Sequence, residues 1–390
     1  TLQDGIFLTT EGNPEHVGAL DDTACGASCL LNGAWDVAVQ GDYAYVAGYN
    51  DDGVTIIDIS DPTSPTHVGN ISDDGTTELD GAIAITVVGD YAYVAGFEDD
   101  GIEILDVSDP SNPKHVGAIT DDATKEMNGV YGLTVVGNYA YVVGGFDDGI
   151  EIIDISDPTN PTSVGEIEDD GTTELDQPRD IVVVGNYAYV AAEVDDGVEI
   201  LDISDPTNPT HVGAITDDGT TALDGARDIV VAGNYAYVAA STDDGVEILD
   251  ISDPTNPTHV GAITDDATTS LDGAGYLEIA GDYLYVTSFT DDSVSVIDVS
   301  DPTSPTHVGT ITDSGSAELD GPYGIAVQGN YAYVAGRSDS GLSILELSGA
   351  RTPTLEAGSV LATTLSVDSG ASVAQGLVVH GGVNVGSGGA

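Results

Sequence analysis

The hydrophobic and polar positions of this chain follow short alternating runs that recur every 48 residues. In the copy at 180–227, four apolar or β-branched runs lie at 181–184, 187–192, 198–203 and 211–216. Such runs, bounded by Gly, Asn, Asp and Pro clusters, are typical of β-strands. No stretch combines the apolar period of a helix with helix caps. The pattern predicts four antiparallel strands per copy and almost no helix.

Two landmarks fix the period of the repeat. The first is the proline of an Asp-Pro turn, at Pro62, Pro110, Pro158, Pro206, Pro254 and Pro302. The second is the tyrosine that opens the second strand, at Tyr43, Tyr91, Tyr139, Tyr187, Tyr235, Tyr283 and Tyr331. A period of roughly 40–50 residues built from four short strands is typical of a β-propeller blade. The sequence therefore predicts an all-β fold, a seven-bladed β-propeller.

The two ends of the repeat array complement each other. The seventh copy stops at 341–349, GLSILELSG, without a fourth strand. The segment 13–18, NPEHVG, matches the NPTHVG that opens the fourth strand of other copies. We therefore expect 16–20 to pair with 342–347 and close the last blade, which removes two exposed sheet edges. The segment 5–10 resembles a spare third strand and has no predicted place.

The segments GIEILDVSDP at 101–110 and GVEILDISDP at 197–206 resemble the LVIVD-repeat family of β-propellers. The resemblance covers about 13–348 and is carried by both the motif and the period. It implies secreted or surface-displayed bacterial and archaeal proteins, usually without known catalysis, and it transfers no catalytic residue. The chain also lacks a Gly-x-Ser-x-Gly elbow and a phosphate-cradling loop. We therefore expect no enzymatic activity.

The charge of the chain limits its partners. It has 68 Asp plus Glu against 6 Lys plus Arg, a net charge of −62. Repulsion of this kind is weak at about 1 M salt, where the Debye length is about 3 Å. The composition favours a high-salt habitat, bound divalent cations or both, and it argues against nucleic acid and anionic membrane surfaces as partners. No apolar run is long enough to span a membrane.

Two acidic loops in each copy are expected to share one face of the propeller. They lie between strands two and three and between consecutive blades. Carboxylate oxygens are preferred ligands of Ca²⁺, whereas Asp also simply suits turns. The candidate Ca²⁺ ligands are Asp51, Asp52, Asp73, Asp74, Asp80, Asp147, Asp148, Asp169, Asp170, Asp176, Asp195, Asp196, Asp217, Asp218, Asp224, Asp243, Asp244, Asp265, Asp266 and Asp272.

The copies differ most just before the first strand, at the expected rim of the central channel. The residues there are Trp35, Ile83, Tyr131, Arg179, Arg227, Gly275 and Tyr323, followed by Asp36, Asp180, Asp228 and Tyr276 in four copies. Aromatic, guanidinium and carboxylate groups together are suited to a sugar or another small polar ligand. The alternative is that Arg179 and Arg227 pair with Asp180, Asp228 and neighbouring loops to offset repulsion.

Histidine and cysteine offer little chemistry. One histidine recurs on separate outer strands, at His16, His67, His115, His211, His259 and His307, so these residues cannot converge on a metal. We expect them to serve at the surface. Cys25 and Cys29 lie in ACGASC, which has neither redox nor zinc spacing. They form a local disulfide if the protein is exported; two free thiols are the alternative.

The composition changes after the repeats. Apolar residues recur every six, at Leu355, Leu361, Val367, Val373, Val379 and Val385. Such hexads resemble β-solenoids and trimeric fibre stalks. Six hexads are too few to bury a core within one chain, so we expect residues 350–390 to form a β-stem that joins three chains, after a propeller at 1–349. A flexible Gly/Ser tail is the alternative.

These observations favour an extracellular structural or adhesive protein. The propeller would be a head on a surface appendage, a surface layer or a virus-like fibre, and its partners would be other surface proteins or glycans. Residue 1 is Thr rather than Met, which a removed secretory signal would explain. The alternative is a Ca²⁺-dependent carbohydrate-binding module. A propeller lyase or lactonase ranks third.

Overall fold

The computed structural model of the protein describes residues 13–26, 29–122, 124–266, 268–315 and 318–347. The spare strand expected at 5–10 and the stem expected at 350–390 lie outside the described residues. Within the described residues the chain forms 28 β-strands and one four-residue helix. No described helix is long and apolar enough to cross a membrane.

The strands form seven four-stranded antiparallel sheets, one for each blade. Strand β1 (Glu15–Asp21) and helix α1 (Asp22–Cys25) come first. Blades 1 to 3 contain β2 (Ala34–Gln40), β3 (Tyr43–Gly48), β4 (Gly53–Asp58), β5 (Thr66–Ser72), β6 (Ala82–Val88), β7 (Tyr91–Gly96), β8 (Gly101–Asp106), β9 (Lys114–Thr120), β10 (Val130–Val136), β11 (Tyr139–Gly144), β12 (Gly149–Asp154) and β13 (Thr162–Glu168).

The remaining strands complete the ring. Blades 4 to 6 contain β14 (Pro178–Val184), β15 (Tyr187–Ala192), β16 (Gly197–Asp202), β17 (Thr210–Thr216), β18 (Ala226–Ala232), β19 (Tyr235–Ala240), β20 (Gly245–Asp250), β21 (Thr258–Thr264), β22 (Ala274–Ala280), β23 (Tyr283–Ser288), β24 (Ser293–Asp298) and β25 (Thr306–Thr312). Blade 7 contains β26 (Pro322–Gln328), β27 (Tyr331–Gly336), β28 (Gly341–Glu346) and β1. The predicted seven-bladed propeller is confirmed.

The N-terminal strand closes the ring as predicted. Strand β1 pairs antiparallel with β28, with His16 opposite Leu345 and Leu20 opposite Leu342. The outer edge of β28 is therefore covered by residues from the other end of the sequence. The first and last blades share a buried cluster that contains Leu20, Leu31 and Leu342.

The hydrophobic core lies between blades. At one seam, Tyr45 of blade 1 packs in the same cluster as Leu79 and Ile85 of blade 2. The second tyrosine of each pair is buried, and the two central strands of each blade are buried over most of their length. This arrangement explains why both faces of these strands are apolar, and it confirms that the tyrosine pairs pack between blades.

The first strand of each blade begins earlier than expected. Strand β14 starts at Pro178 rather than at residue 181, and its pairing with β15 shifts between Pro178 and Asp180. Arg179 is therefore the extra residue of a β-bulge, which redirects a side chain away from the regular ladder. The rim residues predicted to precede the first strands lie inside them, at such irregularities in all seven blades.

Candidate functional site

Aromatic side chains from three blades meet at one mouth of the central channel. The indole Nε1 of Trp35 donates a hydrogen bond to the hydroxyl of Tyr276, with 2.8 Å between the two atoms. Tyr323 packs edge-on against Trp35, with 4.7 Å between ring centroids. The bulges of blades 1, 6 and 7 thus bring together residues that are as much as 288 positions apart in the sequence. We call the face that carries this mouth the upper face.

A second ring of variable residues, not among the predicted site residues, surrounds the rim residues. It follows the second strand of each blade and includes Tyr49, Phe97, Glu193, Phe289 and Arg337. Phe97 packs against Tyr131 at 5.0 Å between centroids, and the adjacent Phe146 is 53% exposed. The signal was present in the sequence, because the copies disagree here as they do at the rim.

The upper face concentrates residue types that are scarce in this chain. It holds the single Trp, three of the four Phe and three of the four Arg. The remaining two of these residues, Phe7 and Arg351, lie outside the described residues. The scaffold repeats from blade to blade, whereas the rim of the mouth and the second ring do not.

The arginines at the rim do not pair with the aspartates that the sequence indicated. Arg179 and Arg227 both form ion pairs with Glu193 of the second ring, and Arg227 Nε lies 3.5 Å from Glu193 Oε1. The guanidinium of Arg179 also lies over the ring of Tyr131, 3.8 Å from its centroid. The two arginines thus pair with a neighbouring loop, one of the partners expected for them, whereas Asp180 and Asp228 line the channel and accept N–H groups of the next blade.

Arg337 differs from the other two arginines. Its guanidinium lies over Trp35 at 4.5 Å and over Tyr323 at 5.2 Å from the ring centroids. One terminal nitrogen donates to the Tyr323 hydroxyl at 3.1 Å. Within the described part of the chain it forms no ion pair with a carboxylate, and its side chain is exposed. Arg337 is therefore a cation held on an aromatic platform and open to solvent.

The channel below the mouth is acidic. Asp36, Asp180, Asp228 and Glu278 line a cavity of about 280 Å³. The Asp36 carboxylate accepts the N–H of Ile85 at 2.9 Å, and Asp228 accepts the N–H of Leu277 at 2.6 Å, each in the following blade. Gly324 leaves the room that Asp36 needs, since a Cβ there would lie 2.3 Å from its Oδ1.

Burial in the channel changes the protonation of these acids. It raises the pKa of Asp36 to about 6 and that of Glu278 to about 7. The carboxyl groups of Asp180 and Asp228 lie within hydrogen-bond distance of each other. Burial and then the charge of Asp180 raise the pKa of Asp228 well above its ordinary value. The proximity of Asp180 therefore disfavours the ionised form of Asp228.

The acidic loops lie together on the upper face, as expected, and bond the blades to one another. Asp196 of blade 4 accepts the N–H of Gly225 at 2.9 Å. Asp243 of blade 5 accepts the N–H of Asp224 at 3.0 Å. The entry loop of blade 5 is thus held by carboxylates from two blades, and the Asp196-type bond recurs at six seams. We call this arrangement the seam clamp.

The remaining loop aspartates stabilise turns. Asp217 accepts the N–H of Gly219, and Asp218 accepts the N–H and hydroxyl of Thr220. The candidate Ca²⁺ ligands come together in contacting pairs: Asp52 with Asp80, Asp148 with Asp176, Asp196 with Asp224 and Asp244 with Asp272. No three acidic, His or Cys side chains converge on a metal position in the described ranges. Calcium binding by these loops stays a prediction.

Three of the recurrent histidines contact buried glutamates. The Nδ1 atoms of His115, His211 and His259 lie 2.6, 2.6 and 2.5 Å from Glu103, Glu199 and Glu247. These glutamates are fully buried, and burial raises the pKa of Glu199 to about 7. The three histidines lie at the surface, as expected, and each also contacts a buried glutamate. Each of these glutamates lies 12 positions before its histidine, a spacing that is visible in the sequence.

The two cysteines lie at the end of helix α1. Cys25 and Cys29 are joined by a disulfide, with their Cα atoms 5.9 Å apart. The Cys29 side chain is buried in the cluster that links blades 7 and 1. The bond therefore lies where the N-terminal strand enters the first blade.

The fold and the mouth define a seven-bladed β-propeller with one variable face. The sequence profile of the LVIVD repeat matches residues 33–73, 81–121, 130–169, 177–217, 225–265, 273–313 and 323–360. The chain belongs to the LVIVD repeat family. No curated protein sequence matches it.

Several solved structures share the fold. A catalytically inactive virginiamycin B lyase from Staphylococcus aureus with quinupristin aligns with a TM-score of 0.63 at 12% identity, over 84% of this chain and 98% of the lyase. A putative 6-phosphogluconolactonase from Bacteroides fragilis aligns at 0.61 and 15% identity, over 79% and 97%. A functionally unknown protein from Desulfotomaculum acetoxidans aligns at 0.62 and 13% identity, over 79% and 93%. At these identities the likeness establishes the fold alone.

Proposed function

We propose that this propeller is an extracellular adhesive head that binds a carbohydrate at the mouth of its upper face. One observation carries the proposal: the single Trp, three Phe and three Arg gather there, while the blades otherwise repeat one sequence. A residue type needed only for folding would recur in every blade. Scarce side chains that converge on one mouth indicate selection for a ligand.

The chemistry of the mouth fits a sugar. The exposed ring of Phe146 offers an apolar face for stacking against a pyranose. Arg337 presents guanidinium N–H groups, which donate to hydroxyl or carboxylate oxygens. Because Arg337 has no carboxylate partner among the described residues, we expect acidic sugars to bind more tightly than neutral ones.

The test is binding of the full chain to a glycan array, followed by titration of the best ligand. We expect Phe146→Ala and Arg337→Gln each to weaken binding about tenfold, as is typical for central contact residues. Val136→Ala removes an exposed apolar side chain from the lower end of β10, and Lys114→Gln removes a positive charge from β9. Both controls should bind normally. Glycan binding that survives Phe146→Ala and Arg337→Gln would contradict the proposal.

Display on a surface appendage is the second part of the proposal. Supporting features are the disulfide, which is typical of oxidising compartments, and the hexad repeats at 355–388. We propose that these hexads hold three chains together. Sedimentation of residues 1–390 should give a trimer, and a chain ending at Gly349 should give a monomer. A monomer in both experiments would contradict the stem.

Catalysis is the second candidate function, and the paired carboxyl groups of Asp180 and Asp228 favour it. A carboxyl group whose pKa is raised by burial is suited to general acid catalysis. The test is a screen of lactones and cyclic esters. Turnover that Asp228→Asn abolishes would replace the binding role with an enzymatic one. We expect no turnover.

A further inference from the structure

The two ends of the repeat array meet at the seam between blades 7 and 1, which we call the closing seam. At the other six seams an aspartate of the earlier blade accepts an entry-loop N–H, as Asp196 does from Gly225. Blade 7 has Ser340 at the position of that aspartate, and its hydroxyl lies 3.4 Å from Asn32 Oδ1. Asp51 of blade 1 still accepts the Asn32 N–H at 3.1 Å. The closing seam thus keeps one half of the seam clamp, and Ser340 has no carboxylate to supply the half that crosses between blades.

The entry loop of blade 1 differs from the others in a second way. Four entry loops contain a threonine whose hydroxyl donates to an aspartate four positions earlier, at 2.9 to 3.2 Å. These residues are Thr77, Thr173, Thr221 and Thr269. In blade 1, Cys29 occupies the threonine position, two residues before the buried Leu31, and it is bonded to Cys25. A disulfide therefore replaces the hydrogen bond that holds the other loops.

The disulfide restricts the segment that joins blade 7 to blade 1. Asp22 donates its N–H to the carbonyl of Ser340 in blade 7 at 3.2 Å. Its Oδ1 accepts the N–H of Leu31 in blade 1 at 3.0 Å. Cys25 and Cys29 lie between Asp22 and Leu31 in the sequence, so their bond shortens the loop that joins these two contacts. Cys29 also lies in the cluster that is buried between the two blades.

Part of the mouth is built across the same seam. Trp35 of blade 1 packs against Tyr323 of blade 7, with 4.7 Å between ring centroids. The guanidinium of Arg337, also of blade 7, lies 4.5 Å from the centroid of the Trp35 ring. Trp35 lies only six positions after Cys29, where the entry loop passes into β2. The aromatic platform under Arg337 therefore depends on how firmly blades 7 and 1 are held together.

We propose that the Cys25–Cys29 disulfide is a redox-sensitive lock, which holds the closing seam when oxidised and loosens the seam and the mouth when reduced. Cys25 is partly exposed and Cys29 is buried, so a dithiol reductant attacks at Cys25. Its thiolate bonds Cys25 Sγ, and the S–S electron pair passes to Cys29, which takes a proton. The second thiolate of the reductant then displaces Cys25 as a thiol. Two electrons and two protons pass to the protein, and the reductant becomes a cyclic disulfide.

The consequence for ligands rests on the proposed binding of a carbohydrate at the mouth. The best glycan should bind about tenfold more weakly to the reduced chain, as expected when a central contact such as Arg337 is displaced. Equal affinity for the oxidised and the reduced chain would contradict control of the mouth by the lock. Failure of every glycan to bind would contradict the proposed function alone, because the next experiment tests the lock without a ligand.

Trp35 reports on the lock directly, since it is the single tryptophan of the chain. Its fluorescence is measured on the full chain before and after reduction with dithiothreitol, and a thiol titration checks that both cysteines are reduced. We expect emission at longer wavelength, stronger quenching by acrylamide and a melting temperature lower by a few degrees. Reoxidation with glutathione disulfide should reverse all three changes. Unchanged emission and quenching would overturn the proposal. Loss of cooperative unfolding would also overturn it, because the disulfide would then be a condition of folding.

Two variants serve as controls. Cys25→Ala together with Cys29→Ala removes the lock and should match the reduced chain with or without dithiothreitol. Ser340→Asp gives blade 7 the carboxylate of the other six blades, and the φ of 60° at Ser340 is close to the 52° of Asp196. Reduction should shift the Trp35 emission less in Ser340→Asp than in the natural chain. An equal shift in both would show that the disulfide does not act on the closing seam, which would overturn the proposal.

Discussion

The seams between blades and the mouth of the channel are made from the same repeat but follow opposite rules. At the seams, the Asp196-type bond recurs at six junctions with donor–acceptor distances between 2.7 and 3.1 Å. At the mouth, the bulge positions of blades 1, 4 and 7 hold Trp35, Arg179 and Tyr323. Residues that are the same in every copy are those that every blade needs for packing. Residues that differ between copies are candidates for the function of one face.

The difference also concerns charge. At the seams, carboxylates accept backbone N–H groups and so stabilise turns and junctions. At the mouth, Glu193 instead bridges two arginines. Changes at the seam should therefore affect stability, and changes at the mouth should affect ligand binding with little effect on stability. The following predictions test that division, from the largest effect to the smallest.

Removal of residues 1–20 should have the largest effect. The deletion takes away β1, exposes the edge of β28 and opens the cluster around Leu342. We expect aggregation or loss of cooperative unfolding, because an open blade edge pairs readily with other chains. Removal of residues 1–12 is the control, since β1 remains. An unchanged melting temperature after the longer deletion would show that β1 is not needed for closure.

Stability should fall as the pH rises from about 5 to about 8. The pKa values of Glu278 and Glu199 are raised to about 7 and that of Asp36 to about 6. A carboxyl group whose pKa is raised in the folded state stabilises the fold at pH values below its unfolded-state pKa. This contribution is lost as the pH rises through its folded-state pKa. We expect the melting temperature to drop by several degrees, in total a few kcal/mol.

Two further measurements sharpen the pH prediction. Glu278→Gln removes one titrating group and should flatten the profile. Below about pH 4 the trend should reverse, because bonds from Ser60 and Ser108 hold the pKa values of Asp58 and Asp106 below the ordinary value. Thermal unfolding at constant ionic strength gives the profile. A stability that increases steadily up to pH 8 would contradict the assignment.

Asp196→Ala should cost about 1 kcal/mol of unfolding free energy, the usual net value of one hydrogen bond. The loss has a second source, since Asp196 has a φ of 52° and Ala tolerates this left-handed conformation poorly. Asp196→Asn is the matched control, because Asn accepts the Gly225 N–H and adopts that conformation. Urea unfolding compares the two. Equal losses for Ala and Asn would mean that the negative charge matters, rather than the hydrogen bond.

Phe146→Ala and Arg337→Gln should change the unfolding free energy by less than about 0.5 kcal/mol, as for other exposed positions. Phe146 is 53% exposed, and Arg337 has no ion pair to lose within the described residues. The same urea experiment measures them beside Asp196→Ala. If either variant is less stable than Asp196→Ala, the mouth is part of the folding core and the division between seam and mouth fails.

The sequence by itself determined the architecture. The spacing of Pro206 and Tyr187 with their copies gave the number of blades, and the orphan segment NPEHVG gave the closing strand. Both are local signals, because a strand is specified by its own apolar residues and the turns that bound it. The rim residues were also found, because copies of one repeat can be compared without any structure.

The tertiary structure alone decided the partners of the charged groups. Glu193 binds arginines from two blades, the Trp35 indole bonds Tyr276 across 241 positions, and His211 contacts a buried glutamate. A repeat pattern specifies the strand or loop of the blade on which each residue lies. It does not state which neighbouring loop the side chain reaches, because bulges redirect side chains and ring closure sets which blades face each other. The protonation of the channel acids also depends on the tertiary structure, because burial raises the pKa of Asp36 to about 6. No local sequence pattern reveals this burial.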